Sequence, residues 1–307
     1  MGLVTGQQVF TSRHLKHSNE CKADQKREMN LPGCFILAST PKLIDESFLV
    51  SVQPWRLGVG LCVIMIICIY FGRRLGLWRL KNSTEKDETS SSTAMSAMMG
   101  LLAFILAFTF GMSSGRFDAR RTVIVNEANA IGTALLRADL YPEPHRTALR
   151  NDFEKYLEAR ILYYEYKAEI DYVYGARAAA KVIGGRLWKR VTDLSKQPAF
   201  ELESRLMVPA LNDMFDLSTT RLIGELARVP NSIVWMLFVL SWTSAFFLGY
   251  MSARKGPIDW YLTTGFCVLT SVVIYITLDI DRPRRGFIQL NTSHNAMLEL
   301  RENFRTE

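Results

Sequence analysis

The sequence predicts an all-α membrane protein with four transmembrane helices and a helical domain outside the membrane. Although 22% of the 307 residues are charged, four stretches contain no charged residue: 57–72, 89–115, 229–253 and 260–278. Crossing the ~30 Å hydrocarbon core of a bilayer takes roughly 20 apolar residues, with about 17 to 25 tolerated. The four stretches meet or approach this length. A disordered chain, a collagen, a disulfide-stapled secreted domain and a cytosolic enzyme are therefore excluded.

The N-terminal part contains a polar arm and the first two spans. Residues 1–45 are polar and weakly patterned, which predicts a mobile N-terminal arm. The first transmembrane helix is predicted over 55–72, because aromatic and basic residues that suit the membrane interface flank it on both sides. A polar linker over 82–93 then leads to the second transmembrane helix, predicted over 94–115.

The second helix is predicted to continue beyond the membrane. Apolar residues keep helical spacing from Gly115 to Leu135, and the prolines of the segment 141–144 then end the helix. The same spacing predicts three further helices: 146–174, 176–196 after a break at Gly175, and 198–228 with a kink at Pro209. Residues 116–229 thus form a predicted helical domain with its own core.

Two spans and a tail complete the chain. The third and fourth transmembrane helices are predicted over 230–253 and 259–278, and the short linker between them predicts that they pack as an antiparallel hairpin. Residues 279–307 form a predicted C-terminal tail with a short helix over 296–304.

The distribution of lysine and arginine predicts the orientation. Four spans place both termini and the helical domain on one side, and basic residues near the span ends are more numerous there. We therefore expect a multi-pass protein of the cell (inner) membrane with both termini, the helical domain and the tail in the cytoplasm. The basic loop that contains Arg73 and Arg74 favours the opposite orientation.

No catalytic or metal-binding pattern is present in the sequence. It contains neither a GxSxG elbow nor a GxxxxGK loop, and its four histidines are scattered between the arm, a turn and the tail. Three of the five cysteines, Cys62, Cys68 and Cys267, fall in predicted spans, which leaves no disulfide framework or metal pair. We expect no enzyme, no cofactor, no metal and no nucleic-acid partner.

Two faces of the second span suggest a function. One face carries small residues at every fourth position, which let helices approach closely in lipid: Ala103, Ala107, Gly111 and Gly115. The neighbouring face is predicted to line a pore: Leu101, Phe104, Ile105, Phe108 and Met112. A ring of identical copies would enclose an apolar passage with Arg116 and Arg120 at its mouth, where rings of arginine concentrate anions. The alternative is ordinary helix and lipid packing, with both arginines reaching lipid headgroups.

An interface cluster of Asp279, Asp281 and Arg282 follows the fourth span. The carboxylates could pair with Arg282, with arginines of the helical domain, or with a cation. Residues i and i+2 of a helix do not share a face, so a cation site made from both carboxylates requires the helix to end by Asp279.

Several segments resemble the bacterial bestrophin-like family of four-span membrane proteins. They are the segments 100–104 and 115–121, the Glu-Ala-Asn segment at 126–132, the segment 141–156 and the Asp-Arg-Pro segment at 278–286. The resemblance covers roughly residues 55–300. Bestrophins proper are pentameric ion channels with a pore lined by the second span and with cytoplasmic termini, so the resemblance implies a homopentamer of the same layout.

Two departures from the bestrophin pattern limit what the resemblance implies. Ala103, Ala107 and Gly111 stand where a bulky neck could have been. The dense acidic clasp by which animal bestrophins sense calcium is absent, so calcium gating is not implied.

These observations lead to two hypotheses. The first is a homo-oligomeric channel for inorganic ions, chloride-like anions above all, embedded in membrane lipid. The second is a membrane-anchored signalling or scaffold protein that recruits a partner through its helical domain. Six tyrosines predicted on one helix could form the partner surface or could be core: Tyr156, Tyr163, Tyr164, Tyr166, Tyr172 and Tyr174.

Overall fold

The computed structural model describes residues 52–82, 88–166, 170–253, 259–282, 286–288 and 290–306. All of them belong to one compact unit. Within these ranges the chain is helical and contains no strand, which confirms the predicted fold class. The predicted N-terminal arm, residues 1–45, lies outside the described residues.

The described residues form eight α-helices. In chain order they are α1 Pro54–Asn82, α2 Glu88–Ala138, α3 His145–Glu165, α4 Ile170–Leu194, α5 Glu201–Leu226, α6 Asn231–Ser252, α7 Trp260–Ile280 and α8 Asn291–Thr306. A short 3₁₀ turn, Pro198–Phe200, precedes α5. Four helical segments, containing α1, α2, α6 and α7, are long and apolar enough to cross a membrane.

The helix boundaries differ from the predicted ones in an informative way. The continuation of α2 beyond the membrane is observed, since α2 is a single helix of 51 residues. The predicted break at Gly175 is wrong, because Gly175 lies inside α4 and α3 ends at Glu165. One glycine costs a helix interior only about 0.5–1 kcal/mol relative to alanine, which the packing of α4 outweighs. Pro209 lies inside α5.

The membrane-spanning helices pack around α1. Leu61, Met65 and Ile69 of α1 form an apolar core with residues of α6 and α7, such as Leu237 and Ile274. The predicted hairpin packing of the third and fourth spans is wrong, since α6 and α7 pack mainly on α1 rather than on each other. A short linker fixes the order of two helices but does not prevent a third helix from packing between them.

Two glycines allow the close crossing of α1 and α6. A Cβ atom on Gly72 would lie 2.1 Å from the Phe246 carbonyl oxygen, and one on Gly249 would lie 2.1 Å from the Ile69 carbonyl oxygen. Real Cβ atoms do not approach oxygen so closely, so only glycine fits at either position. The backbones therefore touch directly, as small residues allow in membrane proteins.

A second core lies in the extramembrane part of the chain. The C-terminal half of α2 packs there with α3, α4, α5 and α8, and the core includes Ile131, Phe153, Leu187, Met207 and Met297, all fully buried. Helix α2 is thus the one element in the described ranges that contributes to both the membrane-spanning bundle and the extramembrane core.

The six tyrosines are divided between the core and the surface. Tyr156 and Tyr163 belong to α3 and are each only 2% exposed, whereas Tyr172 belongs to α4. The alternative in which tyrosines contribute to the core is therefore correct for Tyr156 and Tyr163. Tyr172 is 37% exposed and Tyr164, Tyr166 and Tyr174 are half-buried, so the partner surface of the scaffold hypothesis is reduced but not removed.

Candidate functional site

One side of the apolar part of α2 is exposed in the single chain. Leu101, Phe104 and Phe108 are 50%, 68% and 61% exposed. On the opposite side, Thr109 and Ser113 are 1% and 0% exposed. At about 100° per residue, the three exposed apolar side chains lie within one 60° sector of the helix. They form a continuous apolar strip, which we call the α2 strip.

The remaining predicted pore residues lie at the edge of the α2 strip. Ile105 and Met112 are half-buried, and Ile105 packs against the core of the membrane-spanning helices. Gly111 and Gly115 continue the α2 strip toward the extramembrane part, and no atom lies within 4 Å of a Cβ placed on either. The exposed strip is therefore narrower than predicted and ends in small residues.

The structure places the two predicted mouth arginines away from the α2 strip. Viewed down the helix axis, Arg116 and Arg120 lie about 120° and 160° away from Phe104. Arg120 is 4% exposed. Its guanidinium donates to the carbonyl oxygens of Gly224 at 2.9 Å and Ala227 at 2.5 Å. Arg120 thus caps the C-terminal end of α5 instead of providing a free charge at a mouth.

Asp281 connects three elements at the end of the membrane-spanning bundle. Its Oδ1 accepts a hydrogen bond from Arg116 Nε at 3.1 Å and lies 3.9 Å from Arg120 Nη2. Its Oδ2 accepts from the Val229 amide at 2.7 Å. Asp281, just after α7, therefore joins α2 to the junction between α5 and α6. Of the pairings considered from the sequence, the one with arginines of the helical domain is observed.

Asp279 and Arg282 bind backbone groups. The two carboxylate oxygens of Asp279 accept from the amides of Phe287 and Ile288 at 2.9 and 2.8 Å. Arg282 donates to the Val52 carbonyl oxygen. Helix α7 continues to Ile280, so the condition for a cation site built from both carboxylates is not met. Both carboxylates instead hold the chain as it leaves the membrane.

A buried charge network that the sequence did not predict lies in the extramembrane core. Glu127 of α2 is completely buried and accepts from Arg160 Nε of α3 at 2.5 Å and from Arg221 Nη1 of α5 at 2.8 Å. Both guanidinium groups lie over the Tyr163 ring, 4.8 and 5.4 Å from its centre. The Tyr163 hydroxyl donates to Glu225 Oε2 at 2.9 Å. We call these five residues the Glu127 network.

The charges of the Glu127 network keep Glu127 and Arg160 ionised inside the core. Burial alone lowers the pKa of Arg160, but the adjacent Glu127 carboxylate outweighs it, so the pKa is raised above its ordinary value. The sequence signal for this network is a glutamate between Ile124, Ala128 and Ile131, apolar positions that form one buried face of α2. A charge at such a position requires buried partners from other helices.

A cavity lies between α2 and α5 near the end of the apolar part of α2. Its volume is about 290 Å³. Charged residues that line it are Arg116, Arg120, Arg221 and Glu225, and apolar ones include Val123, Ile124, Ile223 and Leu290.

Comparison with known proteins agrees with this architecture. A bestrophin-like domain matches residues 60–295. Two crystal structures of a bacterial bestrophin homologue from Klebsiella pneumoniae, a tyrosine-to-alanine and a tryptophan-to-alanine variant, share the fold with a TM-score of 0.58 each. Identity is 12% and 11%, and the alignments cover 81% and 83% of this chain and 99% of those chains. A search of curated proteins finds no match. Because the domain match spans most of the sequence, the chain belongs to the bestrophin-like family.

Proposed function

We propose that the protein is a homo-oligomeric ion channel whose central passage is lined by the α2 strip. The observation that carries the proposal is the free apolar side of α2, where Phe104 is 68% and Phe108 61% exposed in the single chain. The opposite side of the same helix is fully packed. Identical copies arranged around an axis, as a pentamer like that of bestrophins proper, would bring these phenylalanines together around the passage.

The chemistry of the α2 strip suits a gate. A narrow ring of aromatic and aliphatic side chains excludes water, so ions pass only when the ring widens or wets. Gly111 and Gly115 would form a wider vestibule beyond the ring, because neither carries a side chain. Membership of the bestrophin-like family supports the same arrangement.

Beyond the α2 strip, the exposed charged residue on the same side of the helix is a carboxylate, Asp118. The anion preference expected from Arg116 and Arg120 loses its basis, because Arg120 is buried and Arg116 pairs with Asp281. Asp118 is exposed and lies about 40° from Phe104 around the helix. Since rings of carboxylates select cations, we propose that Asp118 biases the passage toward cations.

Ion flux from vesicles tests the pore. Purified protein reconstituted in liposomes should conduct, and Phe104→Ala with Phe108→Ala should raise the flux because the constriction widens. Val239→Ala with Leu269→Ala is the matched control, since these residues are 53% and 67% exposed on α6 and α7. Unchanged flux in the phenylalanine variant, or a native mass that corresponds to a monomer or dimer, would refute a passage lined by α2.

Reversal potentials test the selectivity. Asp118→Asn should lower the cation-to-anion permeability ratio, whereas Asp213→Asn, which removes an exposed carboxylate from α5, should leave the ratio unchanged. A wild-type channel that strongly prefers chloride, and keeps that preference in Asp118→Asn, would contradict the assignment of Asp118 but not the pore itself.

The proposed orientation places both termini in the cytoplasm of a cell with an inner membrane. The excess of basic residues on the side of the helical domain supports it. A green fluorescent protein fused to the C-terminus should fluoresce, because this reporter folds in the cytoplasm. A dark fusion beside an active periplasmic reporter at the same position would reverse the orientation.

A further inference from the structure

The cavity between α2 and α5 has the size and lining of an amphipathic ligand site. Its volume of about 290 Å³ is at the lower end of small-molecule pockets, which hold roughly 300–1,000 Å³. Apolar side chains line part of it, Val123, Ile124 and Leu290 among them, beside four charged ones. Ile223 also lines it and is 62% exposed, so the cavity opens to the outside of the subunit.

Two arginines at the cavity retain unused hydrogen-bond donors. Arg116 and Arg221 both line it, and the Nη2 atom of each is buried with no hydrogen-bond partner in the described part of the chain. Arg221 is only 2% exposed. Leaving a buried charged donor unsatisfied is unfavourable, so a ligand that accepts from these atoms would be stabilised there.

The charges around the cavity leave room for one anion. The cluster contains five arginines and three carboxylates, which leaves two positive charges: Arg116, Arg120, Arg160, Arg221 and Arg228 against Glu127, Glu225 and Asp281. A single phosphodiester would neutralise one of them. Arginine presents a planar fork of donors that suits phosphate oxygens.

We propose that this cavity binds an anionic phospholipid, with its phosphate on Arg116 and Arg221 and part of an acyl chain along the apolar walls. The position favours a lipid over a soluble anion, since Arg116 directly follows the last residue of the apolar part of α2. Basic pockets at the level of the headgroups are typical sites for anionic lipids. The proposal is independent of ion conduction.

Native mass spectrometry of the purified full chain tests the proposal. After exchange into mixed phosphatidylglycerol and phosphatidylcholine, the wild type should retain phosphatidylglycerol preferentially. Ile223→Glu, which adds a carboxylate to the cavity wall, should reduce that retention at least tenfold. Leu202→Glu is the matched control, because it adds the same charge to an exposed position of the same helix, 71% exposed and outside the cavity lining, and should retain lipid normally.

A second variant and a soluble competitor make the outcome decisive. Arg116→Gln should also lose the preference for phosphatidylglycerol, and it supplies the test if Ile223→Glu does not fold. Millimolar glycerol phosphate should not displace the lipid. Equal retention of both lipids by the wild type, normal retention by the cavity variants, or displacement by glycerol phosphate would each overturn the proposal. Liposome flux, measured separately, reports on the channel alone.

Discussion

Replacing Glu127 by glutamine is expected to destabilise the protein by about 3–5 kcal/mol, the range seen when one partner of a buried ion pair is removed. Glu127 is completely buried and accepts two charge-assisted hydrogen bonds, at 2.5 and 2.8 Å. Each such bond contributes about 1.5–3 kcal/mol. Glutamine keeps one accepting oxygen but no charge, so Arg221 would retain Glu225 as a carboxylate partner, whereas Arg160 would lose the carboxylate it is paired with.

Chemical unfolding of the purified protein in detergent measures this loss. The control is Glu143→Gln, because the ion pair of Glu143 with Arg146, at 3.1 Å, has side chains 53% and 42% exposed. An exposed ion pair contributes little to stability, so the control should unfold almost like the wild type. If Glu127→Gln lost less than about 1 kcal/mol, the two arginines would have to be compensated by other groups, and the reasoning would be refuted.

Replacing the charged residues of the network by apolar ones separates two quantities. One is the cost of leaving a buried charge unpaired, and the other is the net contribution of the ion pairs to stability. Glu127→Leu combined with Arg160→Met and Arg221→Met removes all three charges while keeping much of the volume. Such replacements are often neutral or stabilising, so the triple variant should recover most of the stability lost in Glu127→Gln. A triple variant as unstable as Glu127→Gln would mean that the ion pairs contribute a net stabilisation that packing cannot replace.

Two further predictions concern the joints between helices. Gly72→Ala should lower stability by about 1–3 kcal/mol, because its Cβ atom would overlap the backbone of α6. Gly60→Ala on the same helix is the control. A Cβ atom there has nothing within 4 Å, so this variant should be neutral or slightly stabilising. Equal unfolding temperatures for the two variants would contradict this crossing. Asp281→Asn should cost about 1–3 kcal/mol because it leaves the Arg116 guanidinium without its carboxylate. The exposed pair of Asp193 with Lys196 provides the control, Asp193→Asn, which should unfold like the wild type. Identical denaturation midpoints for both aspartate variants would show that Asp281 does not hold this junction.

The transmembrane helices were predictable because bilayer thickness fixes a minimum apolar length. The continuation of α2 was predictable for a similar reason, since apolar side chains keep helical spacing up to Leu135 and prolines follow. Both signals are local, so one sequence is enough. The direction in which each helix packs is not local, and the hairpin expected for α6 and α7 was wrong for that reason.

The site was less predictable, because it depends on which side of α2 meets the rest of the chain. Phe104 and Phe108 lie on one exposed side of α2, whereas Arg116 and Arg120 were assigned to the mouth from their place in the sequence alone. A rotation of about 100° per residue already separates them from the phenylalanines. Their partners, such as Asp281, come from segments more than a hundred residues away, and no spacing rule indicates them.

Helix α2 provides a physical link between the proposed gate and the Glu127 network. Phe108 and Glu127 are separated by 19 residues of uninterrupted helix, or about 28 Å at 1.5 Å per residue. Glu127 is fixed to α3 and α5 by two buried arginines, and Arg116 is fixed to Asp281 between them. A rigid helix held at two points cannot rotate its phenylalanines without breaking these ion pairs. Opening of the passage should therefore involve either a tilt of the whole bundle or a bend near Gly111 and Gly115, the only glycines between Phe108 and Glu127.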